Sequence, residues 1–187
     1  DRTVMITAGT GSGKTNGFYL PGLSWLSEYV NKSRSQDEVT PTRILCLYPR
    51  KELLKDQLAN LLKMTRRLHQ EGNLKRPVRI SPYFGDVPQS YKWKPNWKER
   101  KADGVIKGYI CPFLSCISDD CGGNYLWKEV DRAGHSEQLT CEKCGDVITE
   151  EFLSITREGA RERGVDILLA TTEMLNRVLA DPKEREV

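Results

Sequence analysis

No apolar run in this chain is long enough to cross a bilayer, and its first residues lack an apolar core ahead of a small-residue cleavage site. Neither a membrane span nor a secretory leader is therefore read from the sequence. Excess charge is also lacking. The 29 lysines and arginines face 26 aspartates and glutamates, a net +3 over 187 residues, so no global electrostatic case for a polyanionic partner can be made. Any such case must be local. Internal repeats and low-complexity tracts are absent. Histidine is scarce: His69 falls near a helix end, where a cation is mildly favoured, and His135 is at most a substitute for one cysteine ligand. The six cysteines do not read as a disulfide framework, because five crowd between Cys111 and Cys144 and two have C-x-x-C spacing. A reducing, cytoplasmic setting is the expectation, and the length suits one domain with an insertion.

The apolar pattern alternates between two periods. Residues 3–7 (TVMIT) form a short β-branched run that meets a glycine-rich loop and then a helical stretch near 14–30. "RILCLYP" (43–49) is almost continuously apolar, as in a parallel strand covered on both faces, with Cys46 as a small core hydrophobe. Leu54, Leu58, Leu61, Thr65 and Leu68 recur at spacings of four and three, predicting an amphipathic helix from Lys51 to Gln70 with Gly72 just beyond its end. "VRISPYFG" (78–85) and "VDILLATT" (165–172) predict two more strands, the latter leading into a short helix. Strands alternating with helices imply an α/β fold, an open parallel sheet flanked by helices.

The segment "TAGTGSGKT" carries the first chemistry. Glycines 9, 11 and 13 let backbone N–H groups turn inward at a helix start, which holds anionic phosphate. Ala8, Gly9, Thr10, Gly11, Ser12, Gly13, Lys14 and Thr15 are thus the candidate nucleotide-binding residues, with Lys14 reaching the β- and γ-phosphates and the Thr15 hydroxyl on Mg²⁺. In the form A-x-x-G-x-G-K-T, this stretch resembles motif I of superfamily-two helicases of the DEAD/DEAH-box type. The likeness continues in order. "GFYLPGL" (17–23) resembles the F-x-x-P-x-L that follows motif I, which accounts for Pro21 within a helix. "YPRKELLKDQ" (48–57) is similar to motif Ia, with Lys51 where glutamate is more familiar. "YFGD" (83–86) resembles motif Ib and "DILLATTEMLNRVL" (166–179) resembles motif Ic.

The resemblance implies a RecA-like motor lobe, divided as 1–86, an inserted module at 87–156, and a continuation at 157–187. It implies a helicase or translocase driven by ATP, with DNA favoured over RNA as a single strand or as a duplex with a single-stranded tail. Pro49, Arg50, Gly85, Asp86, Thr171 and Thr172 would contact the strand backbone, which positions it without reading sequence. Each pair has a plainer alternative: Gly85-Asp86 as a turn, Thr171-Thr172 as a helix cap. The acidic D-E-x-[DH] motif and a second lobe are expected elsewhere in a longer polypeptide, and the chain alone is expected to hydrolyse almost nothing. Two other readings stay open, a phosphate-loop kinase or switch and a zinc-dependent nucleic-acid-binding module with a vestigial loop.

About 80 residues separate the third and fourth predicted strands, too many for a structureless loop in a compact domain. "CEKC" (141–144) followed by Gly145 reads as half of a zinc site. Cys116 and Cys121 are the favoured other half, with Cys111 as a spare or alternate. Four thiolates close the coordination shell, so the zinc is expected to be structural. A cysteine cluster placed there is similar to those of large prokaryotic helicases of anti-phage defence and DNA repair, which implies possible defence-complex partners. "YKWKPNWKERK" (91–101) interleaves aromatics with cations, either to stack on unpaired bases along a phosphate backbone or to anchor the insertion with a solvated face.

Overall fold

A computed structural model of the chain describes residues 14–32 and 41–180. In chain order the elements are α1 (Lys14–Lys32), β1 (Ile44–Tyr48), α2 (Lys51–Gln70), β2 (Ile80–Tyr83), β3 (Lys98–Ala102), β4 (Val105–Ser115), β5 (Asn124–Lys128), α3 (Glu129–Ala133), β6 (Leu139–Cys141), β7 (Val147–Ile148), α4 (Arg157–Arg163), β8 (Ile167–Thr171) and α5 (Thr172–Ala180). The run at 3–7 lies outside the described residues. Among those described, two sheets form: a parallel one ordered β1-β8-β2 and an antiparallel one ordered β3-β4-β5-β6-β7.

The parallel sheet is the α/β frame that the periodicity predicts. Ile44 and Ile80 both pair with Ile167, so the three strands run in register and finish together at Tyr48, Tyr83 and Thr171. α2 lays Leu54, Leu58, Leu61, Leu62 and Thr65 into the core, the face that its leucine spacing sets. α1 adds Tyr19, Leu23, Leu26 and Val30 despite its internal Pro21. β1 departs from the expectation of two covered faces. Cys46 is half-buried, but Leu45 and Leu47 on the opposite face are 49% and 45% exposed. β8 is its one partner among the described strands.

The insertion is a five-stranded antiparallel meander, a sheet that its composition did not announce. Its apolar face carries Tyr109, Phe113, Tyr125, Trp127, Leu139 and Ile148 into the same core as the leucines of α2. The chain then rejoins the parallel sheet, where Ile80 donates its N–H to the Phe152 carbonyl and accepts from Ser154, both at 2.9 Å.

Buried charge braces the parallel sheet and fastens the insertion to it. Asp166, just before β8, accepts both guanidinium nitrogens of Arg76 at 2.7 and 2.8 Å and the Arg79 N–H at 3.0 Å. Glu137, whose side chain is fully buried, accepts from Arg163 at 2.5 Å, from the Ile155 N–H at 2.9 Å and from the Thr156 hydroxyl. Burial pushes the Glu137 carboxyl above its ordinary range, and Arg163 pulls against that. Arg163→Ala strands the carboxylate and is expected to cost about 3 to 5 kcal/mol near neutral pH, read as a lower urea midpoint. A carboxyl whose folded pKa is raised binds its proton more tightly when folded, so stability falls as pH rises from the unfolded value through the folded one. The deficit of the variant should accordingly shrink as the pH is lowered toward the ordinary carboxylate range.

Candidate functional site

The parallel register explains why three motifs far apart in sequence meet. β1, β2 and β8 all point the same way, so the segments after their C-terminal ends share one edge of the sheet, where ligands of open α/β sheets characteristically bind. A cleft of about 370 Å³ lies there. Pro49 and Arg50 line it from the β1–α2 junction, Gly85 and Asp86 from the turn after β2, and Thr171 from the end of β8. Thr172 opens α5, exposed but outside the lining.

Arg50 is the N-cap residue of α2, in extended conformation (φ −139°, ψ 144°) and with no side-chain capping bond. The positive end of a 20-residue helix thus faces the cleft together with the exposed Arg50 guanidinium, which suits anionic oxygens, while Glu52 of the same first turn and Glu173 of α5 line the cleft with the opposite charge. Thr171 has a structural duty as well, because its hydroxyl accepts the Met174 N–H at 3.3 Å and caps α5. The Gly85-Asp86 pair does form a turn, closed by the Val87 N–H on the Phe84 carbonyl at 3.1 Å. Turn and cleft lining are therefore the same feature.

Sequence reasoning noted Lys51 only as a departure from motif Ia and passed over Lys55 and Arg177. Lys51 and Arg177 line the cleft, and the Asp86 carboxylate sits 3.7 Å from Lys51 and 3.3 Å from Lys55. The available signal was the i,i+4 spacing of the two lysines, which puts them on one side of the first turns of α2.

Of the nucleotide-binding candidates, Ala8 to Gly13 lie outside the described residues. Lys14 and Thr15 open α1, whose first turn contains no acidic residue to oppose an anion. The hydroxyls of Tyr19 and Tyr48 meet at 2.6 Å in the core, tying α1 to the last residue of β1, directly before Pro49 and Arg50. α1 and the β1 side of the cleft thereby share one support.

The second site is the cysteine cluster. Cys116, Cys121, Cys141 and Cys144 place their sulfurs within 4.8 Å of one another. Cys116 is 3.5 Å from Cys144 and Cys121 is 3.6 Å from Cys141, close to the edge of about 3.8 Å in a zinc–thiolate tetrahedron with bonds of about 2.3 Å. Two glycines make this possible. A Cβ on Gly123 would lie 2.8 Å from the Cys141 sulfur and 3.3 Å from that of Cys121, and Gly145 takes the left-handed φ of +77° in the turn after Cys144. The donor set fits a four-thiolate ion. Cys111 is elsewhere, inward on β4 between Tyr109 and Phe113, and burial pushes its thiol up to about 12. His135 stacks on Tyr91 with ring centroids 4.4 Å apart, away from the cluster.

The basic aromatic stretch behaves chiefly as an anchor. Trp97 is buried and donates to the Asp86 carbonyl at 2.8 Å, while Tyr91 packs against His135. Four of its five cations meet carboxylates: Lys92 on Glu158, Lys94 and Lys101 on Glu99, and Arg100 on Glu142. Trp93 alone of its tryptophans faces outward, 72% exposed.

The family described as DEAD/DEAH box helicase matches residues 1–94. The Druantia protein DruE of Escherichia coli (strain UMEA 4076-1) is 31% identical over 218 residues, an alignment that takes in 98% of this chain and 11% of that protein. The chain thus spans about a ninth of that relative's length. No solved structure matches. With motif order, cleft and family match in agreement, the chain belongs to the DEAD/DEAH box helicases.

Proposed function

We propose that this chain is part of the first motor lobe of an ATP-dependent helicase or translocase that acts on DNA, within a longer polypeptide serving anti-phage defence or DNA repair. The observation that carries this reading is the cleft at the C-terminal edge of the parallel sheet, lined by Arg50, Gly85, Asp86 and Thr171 beside the N-terminal end of α2, which has no side-chain cap. Arg50 and the first backbone amides of α2 hold strand phosphates. Asp86, ion-paired to Lys51 and Lys55, shapes the turn rather than touching an anion itself. Lys14 and Thr15 hold the phosphates and Mg²⁺ of ATP at the start of α1, and bound Mg²⁺ neutralises charge on the phosphates. The Tyr19–Tyr48 contact carries displacement between the two sites. Cys116, Cys121, Cys141 and Cys144 hold Zn²⁺, which with its shell closed supplies cross-linking and no reaction step.

Arg50→Ala tests the cleft. In the full-length polypeptide, affinity for single-stranded DNA should fall about tenfold on any sequence, with one fewer ion released in a salt titration. Equal affinity and an equal salt slope would sink this assignment. RNA of the same length in parallel decides the choice of nucleic acid.

A further inference from the structure

The turn that lines the cleft after β2 is held from the inserted sheet. The Asp86–Val87 peptide is engaged at both of its polar atoms: its carbonyl accepts the Trp97 indole N–H at 2.8 Å, and its N–H donates to the Phe84 carbonyl at 3.1 Å. Because a peptide unit is a rigid plane, fixing both ends fixes the orientation of the whole turn. The contact is part-buried: Asp86 is half-buried, while Trp97 is 7% exposed with its ring edge-on to Phe113 at 5.4 Å, and Phe113 in turn meets Phe84 edge-on at 5.8 Å. From the opposite side, Lys55 binds the Asp86 carboxylate at 3.3 Å and donates to the Pro112 carbonyl on β4 at 3.0 Å. Turn, α2 and inserted sheet close a triangle around one residue.

We infer that Trp97 is a positioning residue for nucleic-acid binding, its indole N–H setting the Gly85-Asp86 turn so that the cleft is preformed for a strand backbone. This rests on the strand-binding reading of the cleft given above. Without the indole donor, the Asp86 carbonyl is free to swing toward the cleft, where it would repel the phosphate oxygens that the cleft otherwise attracts. The inserted sheet then tunes the grip of the motor, and DNA affinity depends on a side chain that touches no DNA.

The test uses the full-length polypeptide and two matched substitutions. Trp97→Phe keeps an aromatic ring and removes the N–H. Trp127→Phe does the same to the adjacent buried tryptophan, 5.8 Å away, whose indole donates instead to the Ser136 carbonyl at 2.8 Å. For each, fluorescence anisotropy with a labelled oligodeoxynucleotide gives DNA affinity, and ATPase titrations give half-saturation by DNA and by ATP and the rate at saturation. Thermal melting gives stability. Trp97→Phe should raise both DNA constants about five- to tenfold, the scale of one hydrogen bond, with ATP half-saturation and saturated rate within about twofold. Trp127→Phe should leave the DNA constants unchanged at a similar melting loss. Unchanged DNA constants in Trp97→Phe would overturn the inference, as would equal weakening in both variants, which would trace the effect to integrity of the sheet. If Arg50→Ala weakens binding and Trp97→Phe does not, the positioning role fails and the cleft stands. If neither does, both fail.

Discussion

Replacing Lys14 with alanine is expected to lower DNA-stimulated ATP hydrolysis by the full-length polypeptide at least about a hundredfold, the scale of losing one preorganised charge from a phosphoryl-transfer site. Lys14 is the first residue of a 19-residue helix with no acid in its first turn, so on the proposed reading a lysine charge and the positive helix end would favour the same anion. The helix is well fixed: Leu26 and Val30 are 0% and 1% exposed, and the Tyr19–Tyr48 hydroxyl pair holds it to β1. The loss should therefore appear in the rate and in ATP affinity, with the melting temperature and the DNA affinity measured without nucleotide nearly unchanged. Hydrolysis that survives the substitution, or that never responded to DNA in the parent, would sink the reading of Lys14 as part of a DNA-stimulated motor.

The frame behind that expectation was legible because its signals are local. Three apolar runs and one leucine-spaced helix appear as β1, β2, β8 and α2 within a residue or two of where the periodicity put them. The meeting of the loops after those strands was legible only through the motif resemblance, since nothing local tells Arg50 that Gly85 will lie beside it. The covered second face of β1 was misjudged for a related reason: apolar content shows what a strand is able to bury, and its neighbours decide what it does bury. Leu45 and Leu47 remain exposed although "RILCLYP" reads as fully buried.

The antiparallel sheet was hidden by its polarity. β3 is "KERKA", with four of five residues exposed, and reads as a solvated charge run until Glu99 and Arg100 are paired across to Tyr109 and Gly108. Within β4, however, period-two alternation does place Cys111 on the face of Tyr109 and Phe113, a legible reason to set it apart from the other four cysteines. The role of Trp97 had no such signal, because its partner is a backbone carbonyl eleven residues away.

That division of the cysteines carries the other large effect. Purified protein is expected to hold one Zn²⁺ per chain at the cluster; Cys116→Ser, Cys121→Ser, Cys141→Ser and Cys144→Ser should each lose it, and Cys111→Ser should keep it. The stabilisation at stake is large, since structural zinc binds zinc-finger peptides with apparent free energies of about 10 to 16 kcal/mol at neutral pH. Chelation should thus melt the inserted sheet first, because the cluster joins the β4–β5 connection to the end of β6 and the turn before β7. Gly123→Ala should act like a ligand loss while leaving every thiol present, since its methyl would press on the Cys141 sulfur. Acid should release the metal, as thiolates must give way to thiols. Retention of zinc by Cys116→Ser together with its loss in Cys111→Ser would reverse the ligand assignment. The consequence reaches the motor through Asp146, two residues past Cys144, whose carboxylate takes both guanidinium nitrogens of Arg66 on α2 at 3.0 and 3.2 Å. α2 is the helix whose other end bears Arg50, so a sheet loosened by metal loss should weaken DNA binding before it disturbs the nucleotide segment at the start of α1.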